Sequence, residues 1–161
     1  MEENQSLVKY LNTEVVFQEI PYEICLAINI TNCPNRCKGC HSPYLQQDIG
    51  EILRPESLDI LIAKNKGITC VLFMGGDANP NRIAELSQYV QEKFKLKTAW
   101  YSGSEKLPDT FAFNYIKIGP YKEEFGPLNK RTTNQRLYKK EEDGNIVDVT
   151  NVFWNDSEVS I

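Results

Sequence analysis

The sequence predicts an α/β fold with mainly parallel strands and a β-hairpin near its C-terminal end. Three observations carry that prediction. Glu23–Ile30 and Ile68–Met74 are near-continuous apolar runs, the pattern of strands covered on both faces in a parallel sheet. Apolar residues recur at helical spacing after each run, so strand and helix alternate. Close to the end, the turn Glu142-Asp143-Gly144-Asn145 separates two short β-prone runs. With 161 residues, 41% of them hydrophobic, the chain has the length of one ordinary domain, and residues 1–161 are assigned to it. No repeat, low-complexity tract or linker marks a boundary.

Each element has its own local reason. Glu14–Ile20 is β-rich and stops at Pro21, and Glu23–Ile30 then leads into a cysteine-rich segment. Arg54-Pro55-Glu56-Ser57 opens a helix with Pro and Glu in its first turn; Leu58, Leu61 and Ile62 line its apolar face, and Gly67 is expected to end it. The strand Ile68–Met74 stops at Gly75-Gly76-Asp77. Ile83, Leu86, Tyr89, Val90 and Phe94 then share one face of a second helix. Lys97–Tyr101 reads as a strand closed by Ser102-Gly103, and Tyr115–Ile118 as a short one closed by Gly119-Pro120. After an irregular stretch from Gly119 to Lys130, Gln135–Lys140 and Ile146–Val149 form the terminal hairpin. Cys25 and Cys70 lie within apolar strands and are read as small core residues.

Topology places the loops. Consecutive parallel strands joined by right-handed crossovers send the loops at their C-terminal ends to one edge of the sheet. The cysteine segment and the Gly75-Gly76-Asp77 turn are therefore expected as neighbours, with Trp100–Gly103 and Lys117–Gly119 beside them. Lys117 and Ser102 are read there as solvated strand-end residues.

Charge excludes some classes of function. A formal net charge of −4 with 18 dispersed basic residues gives no electrostatic footprint for nucleic acid. Met1-Glu2-Glu3-Asn4-Gln5 lacks the basic start of a secretory or transit segment, and no apolar run approaches membrane-spanning length. Three of the five cysteines crowd onto one loop, which suits a metal in a reducing compartment better than a disulfide framework. The expectation is a cytoplasmic protein that binds neither nucleic acid nor membrane.

Those three are Cys33, Cys37 and Cys40, in the run Thr31-Asn32-Cys33-Pro34-Asn35-Arg36-Cys37-Lys38-Gly39-Cys40-His41. Structural zinc wants four ligands, usually in two separated pairs, and His41 is poorly placed next to Cys40 to complete a tetrahedron. Cys37-Lys38-Gly39-Cys40-His41 matches the covalent haem pattern, but that chemistry leaves Cys33 without a role and usually needs a second axial ligand. A cubane 4Fe-4S cluster uses all three thiolates and leaves one iron open to another molecule.

This C-x3-C-x2-C segment after one strand, with a Gly-Gly-acid turn after the next, resembles the radical S-adenosylmethionine (SAM) family over about Glu23 to Gly119. The resemblance implies an open partial (βα) barrel, a 4Fe-4S cluster on Cys33, Cys37 and Cys40, and SAM chelated by its amino and carboxylate groups to the open iron. It also implies that Gly75, Gly76 and Asp77 meet the methionine amino end of SAM, and that Gly39, Cys40 and His41 line the adenine side, His41 as a packing or stacking group. Gly39 before the third cysteine, Asp77 where many members have Glu, and Arg131-Thr132-Thr133-Asn134-Gln135 are similar to the small activating proteins of anaerobic ribonucleotide reductase. Those proteins usually have Pro after that Asp, where this chain has Ala78-Asn79 before Pro80. The partners so implied are the large subunit of an anaerobic ribonucleoside-triphosphate reductase, whose glycine would receive a radical, and a flavodoxin-like electron donor. Two further readings are a small-molecule radical SAM synthase, or an activator of a different glycyl-radical enzyme. A third is a non-enzymatic metal-binding or electron-transfer module.

Overall fold

Eight strands form one mixed sheet among the described residues, which are 7–31, 49–109 and 111–154 of the computed structural model. In chain order the elements are β1 (Lys9–Val16), β2 (Cys25–Ile30), β3 (Glu51–Ile52), α1 (Pro55–Lys64), β4 (Cys70–Met74), α2 (Pro80–Phe94), β5 (Lys97–Tyr101), β6 (Tyr115–Ile118), β7 (Arg136–Lys140) and β8 (Ile146–Asp148), with a 3-10 turn over Thr150–Phe153. The spatial order is β3-β1-β2-β4-β5-β6-β7-β8. Parallel pairing runs through β2, β4, β5 and β6, and antiparallel strands flank them on both sides. The sheet keeps two edges and does not close on itself.

Side-chain alternation along the strands makes two cores. Leu26, Ile28, Val71, Phe73, Trp100 and Ile116 face one way and pack with Leu58 and Ile62 of α1 and Ile83, Leu86 and Val90 of α2. Both helices therefore cover the same face. Cys25, Ala27, Cys70, Leu72, Ala99 and Tyr115 face the other way, against Ile20, Leu137, Val149 and Phe153. Apolar cover on both sides explains why β2 and most of β4 read as near-continuous apolar runs.

Besides shifts of one or two residues at strand ends, three features differ from the sequence reading. The first strand is Lys9–Val16, not Glu14–Ile20. Beyond Val16 the chain leaves the sheet so that Ile20 can bury itself against the second face, and Glu23 N donates to Ile20 O (3.1 Å) to close a turn through Pro21 and Tyr22. A register shift between Tyr10 and Asn12 breaks the alternation that would have revealed the strand's first half. Helix α1 ends before Gly67, because the Asn65 side chain donates to Leu61 O (2.8 Å) and its N–H to Ile62 O (3.1 Å). The two-residue β3, paired to β1, has no sequence signature.

The hairpin is present. Lys139 pairs with Val147 and Lys140 with Ile146 around a turn that holds Gly144 at φ 90°. Its first strand lies antiparallel to β6, so Leu137 sits opposite Lys117. No helix among the described residues is long and apolar enough to cross a membrane.

Candidate functional site

Cys33, Cys37, Gly39, Cys40 and His41 lie outside the described residues; those flanking their segment do not. Thr31, the residue after β2, donates its N–H to Lys9 O (2.9 Å) and its hydroxyl to Ile49 O (2.6 Å). Gly50 follows at φ 102°, so close to β1 that a β-carbon would stand 2.2 Å from Tyr10 O. Both ends of the cysteine-bearing segment are thus pinned together at the C-terminal end of β2. The hydroxyl of Thr31, immediately ahead of the motif, is a contributor the sequence reading missed; its position against the first cysteines was the only available signal.

The glycine turn abuts that point. Gly75 and Gly76 adopt φ 107° and 98°, a region that favours glycine. A β-carbon on Gly75 would lie 3.1 Å from Ile30 O, and one on Gly76 would lie 2.6 Å from Cδ1 of the buried Ile83. Packing within the protein therefore already requires both glycines. The turn's backbone is tied to β5 twice: Gly75 N donates to Tyr101 O (3.0 Å), and Trp100 Nε1 donates to Gly75 O (2.7 Å). Trp100 was expected at this edge, but its role as a backbone tie was not visible in the sequence.

Asp77 is anchored through both carboxylate oxygens. Ser102 Oγ donates to Oδ1 (2.5 Å) and Gly103 N donates to Oδ2 (2.7 Å). The exits of β4 and β5 are joined by these charge-assisted bonds. Beyond the turn, Asn79 N donates to Gly76 O (2.9 Å) and Pro80 starts α2, so Ala78-Asn79 complete a tight strand-to-helix turn.

Ser102 and Lys117 are not solvated, contrary to the sequence reading. They are 1% and 7% exposed. For Lys117 the cover is β7, which the hairpin lays along β6; Ser102 is enclosed by Asp77, Lys117 and Ser104. A buried ammonium needs partners, and Lys117 Nζ donates to Ser102 O (3.3 Å) and Gly119 O (3.4 Å) while standing 5.0 Å from the centroid of the Tyr101 ring. Gln135 donates to Gly119 O (3.1 Å) and Asn134 to Pro120 O (3.1 Å), so these two amides hold the exit of β6. On the face away from the helices, register aligns Asn12, Asn29, Met74, Tyr101 and Lys117 in one row, with Asn29 donating to Asn12 Oδ1 (2.6 Å). No sequence signal announced that row, because it exists only through strand register.

The remaining two cysteines are accounted for elsewhere. Cys25 and Cys70 are fully buried register partners at the opposite, N-terminal ends of β2 and β4. A hydrogen bond to Cys25, reinforced by burial, pushes the Cys70 thiol far above its ordinary range. Their place at that far end leaves Cys33, Cys37 and Cys40 as the expected donor set, and three thiolates on a segment pinned at its ends would fit a cluster with one open iron.

Comparison with known proteins identifies one family. The model of a 4Fe-4S single cluster domain matches residues 24–113, more than half of the chain, a span that holds the three cysteines, the glycine turn and Ser102. No curated protein matches the chain, and no solved structure does.

Proposed function

The chain belongs to the 4Fe-4S single cluster domain family, and from that premise we propose that it is a radical SAM activase acting on another protein. Its substrate would be a glycine on the large subunit of an anaerobic ribonucleoside-triphosphate reductase, and a flavodoxin-like protein would deliver the electron. What the cluster supplies when bound is that electron, passed to SAM to yield methionine and a 5'-deoxyadenosyl radical, which takes the glycine α-hydrogen and leaves as 5'-deoxyadenosine. The chain's own residues then have separable tasks. Cys33, Cys37 and Cys40 hold three irons. Gly75, Gly76 and Asp77 receive the ammonium end of SAM, the carboxylate supplying the charge. Gly39, Cys40 and His41 line the adenine. The sheet, unclosed and with both helices on one face, serves in this reading as an open partial (βα) barrel whose free side admits a peptide loop.

One observation carries the reading: the Thr31–Ile49 closure of the cysteine segment and the Gly75-Gly76-Asp77 turn meet at the end of β2, where Gly75 packs on Ile30. A cluster held on one side of that junction and a cation-binding carboxylate on the other make a bipartite site for an amino acid sulfonium. The test is anaerobic reconstitution with iron and sulfide, followed by SAM and a strong reductant. We expect 5'-deoxyadenosine, and a glycyl radical in the electron paramagnetic resonance spectrum once the reductase subunit is added. Reduction and reoxidation of the cluster without any 5'-deoxyadenosine would instead identify a one-electron carrier, the other activity that a single-cluster domain supports. Turnover of SAM with no protein radical would redirect the assignment to another partner or a small-molecule substrate.

A further inference from the structure

With the identity of the ligand resting on the function proposed above, we propose that Ser102 is the positioning residue of the site. It aims the Asp77 carboxylate and so governs how tightly SAM is held, without touching SAM. A lone aspartate on a strand-to-helix turn is free to rotate about two side-chain torsions. Here both oxygens are fixed, Oδ1 by the Ser102 hydroxyl at 2.5 Å and Oδ2 by Gly103 N–H at 2.7 Å. A carboxylate oxygen can accept from more than one donor, so anchoring by Ser102 and Gly103 is compatible with contact to an ammonium.

Ser102 is itself fixed on every side. Its N–H donates to Lys117 O (2.8 Å), its carbonyl accepts from Lys117 Nζ (3.3 Å), and its Oγ accepts from Ser104 N–H (3.0 Å). With the Ser102 hydroxyl oxygen accepting from Ser104 N–H, its single hydrogen is left for Asp77. The turn's backbone does not depend on that hydroxyl, since Gly75 is already bonded to β5 through Tyr101 O and Trp100 Nε1. The hydroxyl therefore acts on the direction of a side chain, not on the path of the chain. This separates it from a purely structural serine, whose loss would be felt in stability first.

The experiment compares the wild-type full chain, Ser102→Ala and Asp77→Asn after anaerobic reconstitution, measuring SAM affinity by equilibrium dialysis together with iron content and the urea midpoint of the apoprotein. Ser102→Ala should bind SAM roughly tenfold more weakly, the usual effect of removing a group that orients a ligating residue, with iron content and midpoint unchanged. Asp77→Asn sets the floor. Wild-type SAM affinity in Ser102→Ala overturns the proposal, and so does weakened binding that comes with a lowered midpoint. If the wild type itself retains no SAM, the proposed function falls, and positioning is then judged on amide hydrogen exchange at Gly103 in the apoprotein. Faster exchange in Ser102→Ala supports it, because Asp77 has lost its Ser102 anchor; unchanged exchange overturns it.

Discussion

Gly76 and Gly144 share a left-handed backbone, at φ 98° and 90°, but not their surroundings. At Gly76 a β-carbon meets Cδ1 and Cγ1 of Ile83, both at 2.6 Å, and Ile83 is fully buried with no space to yield; at Gly144 nothing lies within 4 Å. Gly144→Ala therefore incurs only the backbone term, about 1 kcal/mol, whereas Gly76→Ala adds overpacking and should cost about 3 kcal/mol. Urea denaturation of the two apoproteins measures the difference, and equal losses would mean that Ile83 repacks without cost. Asp77 follows Gly76 in the chain, so a displaced turn would also tear the carboxylate from Ser102 and Gly103. The glycine pair was legible in the sequence as a turn. Its reason was not, because Ile83 and Ile30 reach it only through tertiary packing.

At the level of elements, the parallel strands are locked at both ends, and the N-terminal lock is a single carboxylate. Glu23, 6% exposed, accepts from Thr69 Oγ1 (2.6 Å), Lys97 Nζ (2.7 Å) and Tyr115 OH (3.0 Å), which ties the starts of β2, β4, β5 and β6 together. Burial alone would raise its pKa; the three donors and the charge of Lys97 outweigh that and hold it below the ordinary glutamate value. A carboxyl with a depressed folded-state pKa binds its proton more readily when unfolded, so its stabilisation is present above the ordinary glutamate range and lost as pH falls through the folded pKa. Glu23→Gln should accordingly be less stable than wild type at pH 7, by roughly 1–3 kcal/mol, with the gap narrowing in acid. Urea midpoints from pH 7 down to pH 3 check this, and a gap independent of pH would remove ionisation from the account. These central strands were readable because cover on both faces leaves near-continuous apolar runs such as Cys25–Ile30, interrupted only by Asn29. The flanking β1 was misplaced because a half-exposed strand with a register shift at Tyr10 and Asn12 has no clean period, and β3 is too short to have one. Lys117 and Ser102 were misjudged for a related reason: their neighbours, Leu137 of β7 opposite Lys117 and Asp77 against Ser102, are distant in the sequence and meet them only in the folded sheet.

Across the whole molecule, the proposed site and the Glu23 lock lie at opposite ends of the parallel strands. The starts of the parallel strands carry the Glu23 lock and the buried pair Cys25 and Cys70; their ends carry the Thr31–Ile49 closure, the glycine turn and Lys117. The five cysteines should divide along the same line. On the proposed assignment, alanine at Cys33, Cys37 or Cys40 removes one of three thiolates that hold the cluster, so iron content and the visible absorption of the reconstituted protein should collapse. Alanine at Cys25 or Cys70 leaves the donor set intact and opens a small void between β2 and β4, costing about 1–2 kcal/mol of stability with iron content unchanged. Iron and sulfide analysis beside urea denaturation across all five variants reads both quantities at once. Loss of iron in Cys25→Ala or Cys70→Ala, without unfolding, would bring a core thiol into the metal site and break that division; retention of full iron in Cys37→Ala would break the three-thiolate assignment itself.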